Sequence, residues 1–200
     1  MRWSLFVIGH WSLVIPPPVS VPATLPNLEE LIGLFYGNVE EVGTFKQVPA
    51  AMLPGYARAL LSHNEHMTVT VEEFHGCAVD VDVLEVIEHD THYSRKIVLR
   101  RQSDRRVVLF GIVRLDFRHV DEEVRRQIVS RQIPLGKILI EHNVLRQLQL
   151  VGLWKIEPGD DLSQIFAMDP QSPLPVYGRT ALIYCDGEPA VELLEIVSPV

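Results

Sequence analysis

The strongest constraint on the fold is a series of segments in which apolar and polar residues alternate. Two such segments follow one another, Met67 to Val71 and Val79 to Val83. Strict alternation predicts half-buried strands, because successive side chains of a strand point to opposite faces of a sheet. The next two segments, Tyr93–Arg100 and Arg106–Phe117, are joined by a short polar stretch. We therefore expect them to pair as an antiparallel hairpin.

The last part of the chain predicts more strands. Val176 to Cys185 and Pro189 to Val197 flank the sequence Asp186-Gly187-Glu188, in which Asp-Gly is a strong signal for a tight turn. A further strand is predicted around Leu148 to Ile156, and an acidic loop from Pro158 to Pro175 follows it.

Helices are predicted between the strands. Four segments combine helical spacing of apolar residues with capping or stop residues: Leu28 to Tyr36 after Asn27, a short helix from near Pro54 to His63, a helix capped by Asp121 that reaches about Arg131, and Lys137 to Asn143. We therefore expect one α+β domain, in which helices pack on an antiparallel β-sheet of six or seven strands.

Composition excludes several classes of protein. The 200 residues are 47% hydrophobic and carry a formal net charge of −8, so a globular domain is expected and nucleic acid is not an expected partner. Two cysteines, Cys77 and Cys185, are too few for a disulfide framework, which favours a reducing compartment such as the cytoplasm. The apolar stretch Trp3 to Ile15 is too short to span a bilayer. Because His10 and two tryptophans suit an export signal poorly, we expect a packed or disordered N-terminal arm.

Several candidate motifs have a plain structural interpretation. His63 and His66 are three residues apart and His75 lies near Cys77, but no second paired motif completes a zinc site. We interpret these histidines as structural or surface residues. Asp80 and Asp82 alternate with valines, which is typical of the solvated face of a sheet. The chain also lacks the nucleophile elbow, the P-loop and the dinucleotide-binding fingerprint.

Two isolated charges are more informative. Arg95 and Glu195 each interrupt a strand that is otherwise apolar. A charged side chain that points into a core lowers the stability of the fold by roughly several kcal/mol unless it is paired or bound to a ligand. The alternation does not decide which sheet face they occupy, so a surface or structural ion pair and a ligand site both stay open.

Four short segments match, in order, the motifs of one known family. They are His66-Met67-Thr68, Tyr93-Ser94-Arg95-Lys96-Ile97-Val98-Leu99, Ile133-Pro134-Leu135-Gly136, and Tyr177-Gly178-Arg179 followed by Asp186-Gly187-Glu188-Pro189 and Glu195. With these motifs, the segment from about Pro49 to Pro199 resembles the chorismate pyruvate-lyase family, whose members form 4-hydroxybenzoate and pyruvate from chorismate without a cofactor. It departs from the better-known bacterial members at Ile112, where they carry arginine.

The resemblance implies a fold and a set of site residues. The fold is an antiparallel sheet with helices covering a buried ligand cavity. Arg95 matches the ligand-binding arginine and Glu195 the active-site glutamate, whereas Met67 and Leu135 match positions that contact the ligand through the main chain. We expect Arg95 to orient the ring carboxylate of chorismate and Glu195 to bind its 4-hydroxyl or assist proton loss. Arg179 is expected to hold the enolpyruvyl carboxylate.

The resemblance also divides the chain. Residues 1–48 form an N-terminal arm with a proline-rich stretch and a short helix, and residues 49–200 form the chorismate lyase-like domain. Glu192 offers a competing register for the glutamate, but Glu195 keeps the family's spacing to Pro199. Chorismate is the expected small-molecule partner, with no cofactor, no metal and no membrane span, and the protein is expected to be a monomer or a small homo-oligomer. The pathway that consumes the product stays open between quinone, phenolic lipid and pigment synthesis.

Two alternatives remain. The same fold serves as the effector-binding domain of certain transcription regulators, so the chain could be a non-catalytic domain that binds a small aromatic carboxylate. The first 48 residues lack the charge and the helix-turn-helix pattern of the DNA-binding domain that such regulators carry. A structural protein without a cavity ligand is the third possibility, and it would expose Arg95 and Glu195 to solvent.

Overall fold

The sheet is the centre of the fold. The computed structural model describes residues 27–133, 135–142, 145–169, 171, 174–185 and 187–199. Within them, seven antiparallel strands form one sheet in the order β1-β5-β6-β7-β4-β3-β2. The strands are β1 (Gly43–Gln47), β2 (Val79–Glu88), β3 (His92–Arg101), β4 (Val107–Asp116), β5 (Leu145–Pro158), β6 (Val176–Cys185) and β7 (Glu188–Val197).

Helices cover both faces of this sheet. The six helices in the described ranges are α1 (Leu28–Ile32), α2 (Gly55–Leu61), α3 (Met67–His75), α4 (Glu122–Ser130), α5 (Leu135–Glu141) and α6 (Asp160–Ile165). Apolar residues of α2 to α5 pack on one face, and those of α1 and α6 pack on the other. The predicted α+β class, with helices on an antiparallel sheet, is confirmed.

Alternation along the strands sorts side chains between the two faces. In β3, the odd-numbered Tyr93, Ile97 and Leu99 pack under α2 to α5, whereas Val98 packs under α1 and α6. Arg95 therefore points to the α2–α5 face, because it shares the parity of Tyr93 and Ile97. The sequence pattern alone could not fix this direction, since both faces of the strand are covered.

The prediction of a strand at Met67–Val71 is wrong, because this segment is the first part of α3. Met67 and Val71 are both buried and lie four residues apart, on one side of a helix, whereas Val69 is 43% exposed. Apolar residues at i, i+2 and i+4 fit a strand, but the residues at i and i+4 alone also fit one turn of a helix. Here only Met67 and Val71, at i and i+4, are buried, which is consistent with the helix.

Two elements were not predicted. β1 is an edge strand that pairs with β5, so the sheet extends into the segment before residue 48. α6 lies inside the segment predicted as an acidic loop, with Asp160 and Asp161 in its first turn. The predicted N-terminal arm before residue 27 lies outside the described residues. None of the helices that the structure describes is long and apolar enough to cross a membrane.

Candidate functional site

A cavity lies between the α2–α5 face of the sheet and the first residues of α3 and α5. It contains about 580 Å³ of space between its atoms, including the part that opens to solvent. Its walls are mostly aliphatic. The polar side chains among its lining residues are His66, Thr68, Arg95, Arg179 and Glu195.

Arg95 is the most unusual group in this cavity. Its side chain is buried, with the residue only 1% exposed, and Nε, Nη1 and Nη2 have no hydrogen-bond partner in the described part of the chain. Burial lowers the pKa of Arg95, while the nearby Tyr93 hydroxyl raises it without reaching hydrogen-bond geometry. A buried guanidinium without an anion is costly, and its three nitrogens are donors that a carboxylate could use.

Arg179 and Glu195 form a second, paired element of the cavity. Arg179 Nε donates to Glu195 Oε2 over 2.7 Å, and Arg179 Nη1 donates to the carbonyl oxygen of His63 over 2.9 Å. Arg179 is fully buried, and its Nη2 has no partner among the described residues. The pair therefore keeps one spare donor, while one carboxylate oxygen of Glu195 is engaged.

The strand register brings these residues together. Glu195 in β7 lies opposite Arg179 in β6 on one side and opposite Gly111 in β4 on the other. Gly111 lines the cavity floor, and a Cβ there would approach the Ile97 side chain to 3.3 Å, which is closer than an ordinary contact. Arg95 lies two residues before Ile97 on the same face of β3. Strand β4 therefore separates Arg95 from the ion pair of Arg179 and Glu195.

The competing glutamate points elsewhere. Glu192 is on the opposite face of β7 and makes an ion pair with Arg114. Ile112, where the sequence departs from the better-known members of the resembled family, also lies on that opposite face and packs under α1 and α6. This departure therefore does not alter the walls of the cavity.

Met67 and Leu135 begin the two helices that cover the cavity. Each is the first residue of its helix, α3 or α5, and each lines the cavity. The first N–H groups of a helix have no acceptor within the helix, so both main chains can donate to a ligand. All five residues named by the resemblance therefore line one cavity, while their individual roles stay predictions.

Sequence reasoning missed His66 and Thr68 as cavity residues. His66 was interpreted as a structural or surface residue, but it lines the cavity at the N-cap of α3. Only the motif His66-Met67-Thr68 pointed to this position. No group of three or more histidine, cysteine, aspartate or glutamate side chains in the described ranges could hold a metal ion.

Other charged candidates lie outside the cavity. Asp80 and Asp82 make ion pairs with Arg105 and Arg100 at the exposed edge strand β2, as expected for a solvated sheet face. Neither Glu195 nor Arg95 is solvent-exposed. This burial argues against the third possibility, a structural protein that binds no ligand in the cavity.

Comparisons with known proteins add information on the fold. No protein-family model matches the sequence, and no curated protein matches it. Among solved structures, the chain is similar to the effector domain of PhnF from Mycobacterium smegmatis, with a TM-score of 0.51, 10% identity, and 66% of this chain and 88% of that chain covered.

A longer PhnF structure from Mycobacterium smegmatis matches with a TM-score of 0.51 and 9% identity, covering 67% of this chain and 64% of that chain. The C-terminal domain of a histidine utilization repressor from Pseudomonas syringae pv. tomato matches with a TM-score of 0.44 and 10% identity, covering 60% and 91% of the two chains. At such identities the likeness to PhnF concerns the fold alone.

Proposed function

We propose that this protein binds a small cyclic carboxylate in the cavity, with Arg95 as its carboxylate anchor. The buried and unpartnered guanidinium carries this conclusion. Its aliphatic surroundings suit the faces of a ring, and its planar fork suits the two oxygens of a carboxylate. A ligand with both features satisfies the cation and fills the apolar space at the same time.

Titration calorimetry with benzoate and 4-hydroxybenzoate tests the binding proposal. We expect saturable one-to-one binding of 4-hydroxybenzoate to the wild-type chain and a loss of about 100-fold or more in Arg95→Met, because two charge-assisted hydrogen bonds disappear. Neutral benzamide is the matched control ligand and should bind weakly to both proteins. Equal affinity of the two proteins for 4-hydroxybenzoate would contradict the proposal.

We further propose that the bound carboxylate is chorismate and that the protein is a chorismate pyruvate-lyase. Glu195 supports this proposal, because Arg179 engages its Oε2 while its carboxylate lines the cavity, where it can also accept a hydrogen bond from a substrate hydroxyl. In the reaction, the C4–H electron pair forms the new ring double bond while the C3–O bond breaks. The ring becomes 4-hydroxybenzoate, and the proton lost from C4 is balanced by the proton that the departing enolpyruvate takes up on its methylene carbon to become pyruvate.

The residues of the cavity suit this reaction without a cofactor. Aromatisation drives the step, so the protein mainly has to position the substrate and stabilise developing charge. Arg95 would hold the ring carboxylate and Arg179 Nη2 the enolpyruvyl carboxylate. Glu195 would accept a hydrogen bond from the 4-hydroxyl, and the main-chain N–H groups of Met67 and Leu135 would hold the ring from the helix side.

A non-catalytic binding domain is the second candidate. Its support is the likeness in fold to the chain described as the effector domain of PhnF. Such a domain would use Arg95 and the same cavity but would need no group that handles the 4-hydroxyl or a proton.

Incubation of the purified chain with chorismate distinguishes the two functions. Equal amounts of 4-hydroxybenzoate and pyruvate above the spontaneous rate, lost in Arg95→Met and Glu195→Gln, would support the lyase. Saturable binding of 4-hydroxybenzoate without turnover of chorismate would contradict the lyase and leave the binding domain. Glu192→Gln is the matched control, since Glu192 lies on the other sheet face and should leave turnover unchanged.

A further inference from the structure

The cavity is polar at the side away from Arg95. Glu195 and Arg179 lie on β7 and β6, and β4 separates them from Arg95 on β3. His66 and Thr68 line the cavity from the start of α3, and the charges of Arg179 and Glu195 act on the His66 ring. A ring that is anchored through one carboxylate at Arg95 therefore points its opposite substituent toward a group of hydrogen-bonding side chains.

His66 differs from its neighbour His63 in how its ring is engaged. His63 Nε2 lies 2.6 Å from the carbonyl oxygen of Leu60, and His63 Nδ1 accepts a hydrogen bond of 3.0 Å from the main chain of Glu65. Both of its ring nitrogens are therefore used inside the protein. The imidazole of His66 makes no such hydrogen bond within the described residues, although it is half-buried.

His66 lies where the start of α3 meets the start of α5 at the cavity wall. A Cβ added to Gly136, at the start of α5, would lie 3.7 Å from His66 Nδ1 and 4.0 Å from Thr68 Oγ1, which are ordinary contact distances. All three residues therefore belong to one part of the cavity lining. Burial lowers the pKa of His66 below its ordinary value, against the opposing effects of Glu65 and Glu195, and this favours the neutral imidazole, which has one donor and one acceptor nitrogen.

We propose that His66 is a specificity-determining residue that hydrogen-bonds the polar substituent across the ring from the Arg95-bound carboxylate. This inference rests on the proposed binding of a cyclic carboxylate and deepens it. For 4-hydroxybenzoate the substituent is the phenolic hydroxyl, and for a substrate it is the group at ring carbon 4. Arg95 binds the carboxylate, and His66 donates to the substituent on the opposite side of the ring, whose own hydroxyl proton Glu195 would accept in a hydrogen bond.

The test compares two ligands that differ only in that substituent, benzoate and 4-hydroxybenzoate, in wild type and His66→Asn. Asparagine is a good N-cap, so the substitution keeps the start of α3 while it removes the imidazole. We expect the affinity for 4-hydroxybenzoate to fall about fivefold, the effect of one neutral hydrogen bond, and the affinity for benzoate to change less than twofold.

His75→Asn is the matched control. His75 is a half-buried histidine at the other end of α3, stacked edge-on against Phe74 and outside the cavity. We expect this variant to bind both ligands as wild type does. An equal loss for both ligands in His66→Asn would show a merely structural role and overturn the inference, and so would no loss for either.

The design separates this inference from the proposed function. If wild type binds benzoate through Arg95 but His66→Asn leaves the preference for the hydroxyl unchanged, only the role of His66 fails. If wild type binds neither ligand, or if Arg95→Met binds both normally, the carboxylate site itself fails and the inference fails with it.

Discussion

Replacing Arg95 by methionine should stabilise the ligand-free protein while it weakens ligand binding by about 100-fold or more. Methionine has a similar length and is apolar, so it can fill the same space without three buried nitrogens that lack partners. Leaving one buried polar group unsatisfied costs about 1–3 kcal/mol, and replacing buried charges by apolar side chains has gained about 1–4 kcal/mol elsewhere. We therefore expect the free energy of unfolding of Arg95→Met to rise by about 2 kcal/mol.

Thermal and urea denaturation without ligand measure this change. For a chain of 200 residues, about 2 kcal/mol corresponds to a rise in Tm of about 4–8 °C. In the presence of 4-hydroxybenzoate at about 100 times its Kd for wild type, wild type should gain about 2.7 kcal/mol and Arg95→Met at most about 0.4 kcal/mol. The order of the two proteins in stability should then reverse or become equal.

Lys96→Met is the matched control, because Lys96 is the next residue of β3 and points to the other sheet face. Its ammonium group pairs with Glu85 over 3.1 Å and lies over the Tyr36 ring, so methionine there removes favourable contacts. We expect no rise in Tm and unchanged ligand binding. A fall in Tm for Arg95→Met would refute the reasoning, since it would mean that the guanidinium is satisfied in the empty protein.

Three further results are expected. Glu195→Leu should lower the free energy of unfolding in urea by about 3 kcal/mol, because Arg179 is then buried without its partner, and adding Arg179→Met should recover most of that loss. The Arg118 side chain lowers the pKa of Asp116 to about 2, so this group stabilises the fold above its ordinary pKa, and the stabilisation is lost as the pH falls from about 4 toward 2. Tm measured across that range should show a smaller acid-induced decrease in Asp116→Asn. Gly111→Ala should reduce affinity for 4-hydroxybenzoate in calorimetry while circular dichroism shows an unchanged fold, because the added Cβ occupies the cavity floor.

Most strands and the start of α4 were predictable, because alternation, turn residues and helix caps all act over short distances. Asp121, for example, caps α4 by accepting a hydrogen bond of 2.8 Å from the main-chain N–H of Val124, as its sequence position indicates. The segment Met67–Val71 was not predictable, because its period is decided by which residues the rest of the fold buries. β1 was missed because most of this edge strand is exposed and its apolar pattern is weak.

The residues of the site could be named from motifs, but their relation could not. Helices cover both faces of the sheet, so the face to which Arg95 points depends on how the whole fold is assembled. The contact between Arg179 and Glu195 depends on the register of β6 and β7. Both are long-range properties that no local pattern encodes. His66 was misjudged for the same reason, since only the approach of α5 to α3 makes its position part of a cavity wall.

The position of the cavity within the sheet order has a kinetic consequence. Arg95, Gly111, Glu195 and Arg179 stand on four strands that all have a hydrogen-bonded neighbour on each side, whereas the cover consists of the short ends of α3 and α5. Local opening occurs in the least cooperative parts of a fold, so amide protons of the floor should exchange last and those of the cover first. On the proposed function, a ligand would therefore enter and leave through the helix side, past the two helix ends that open most readily.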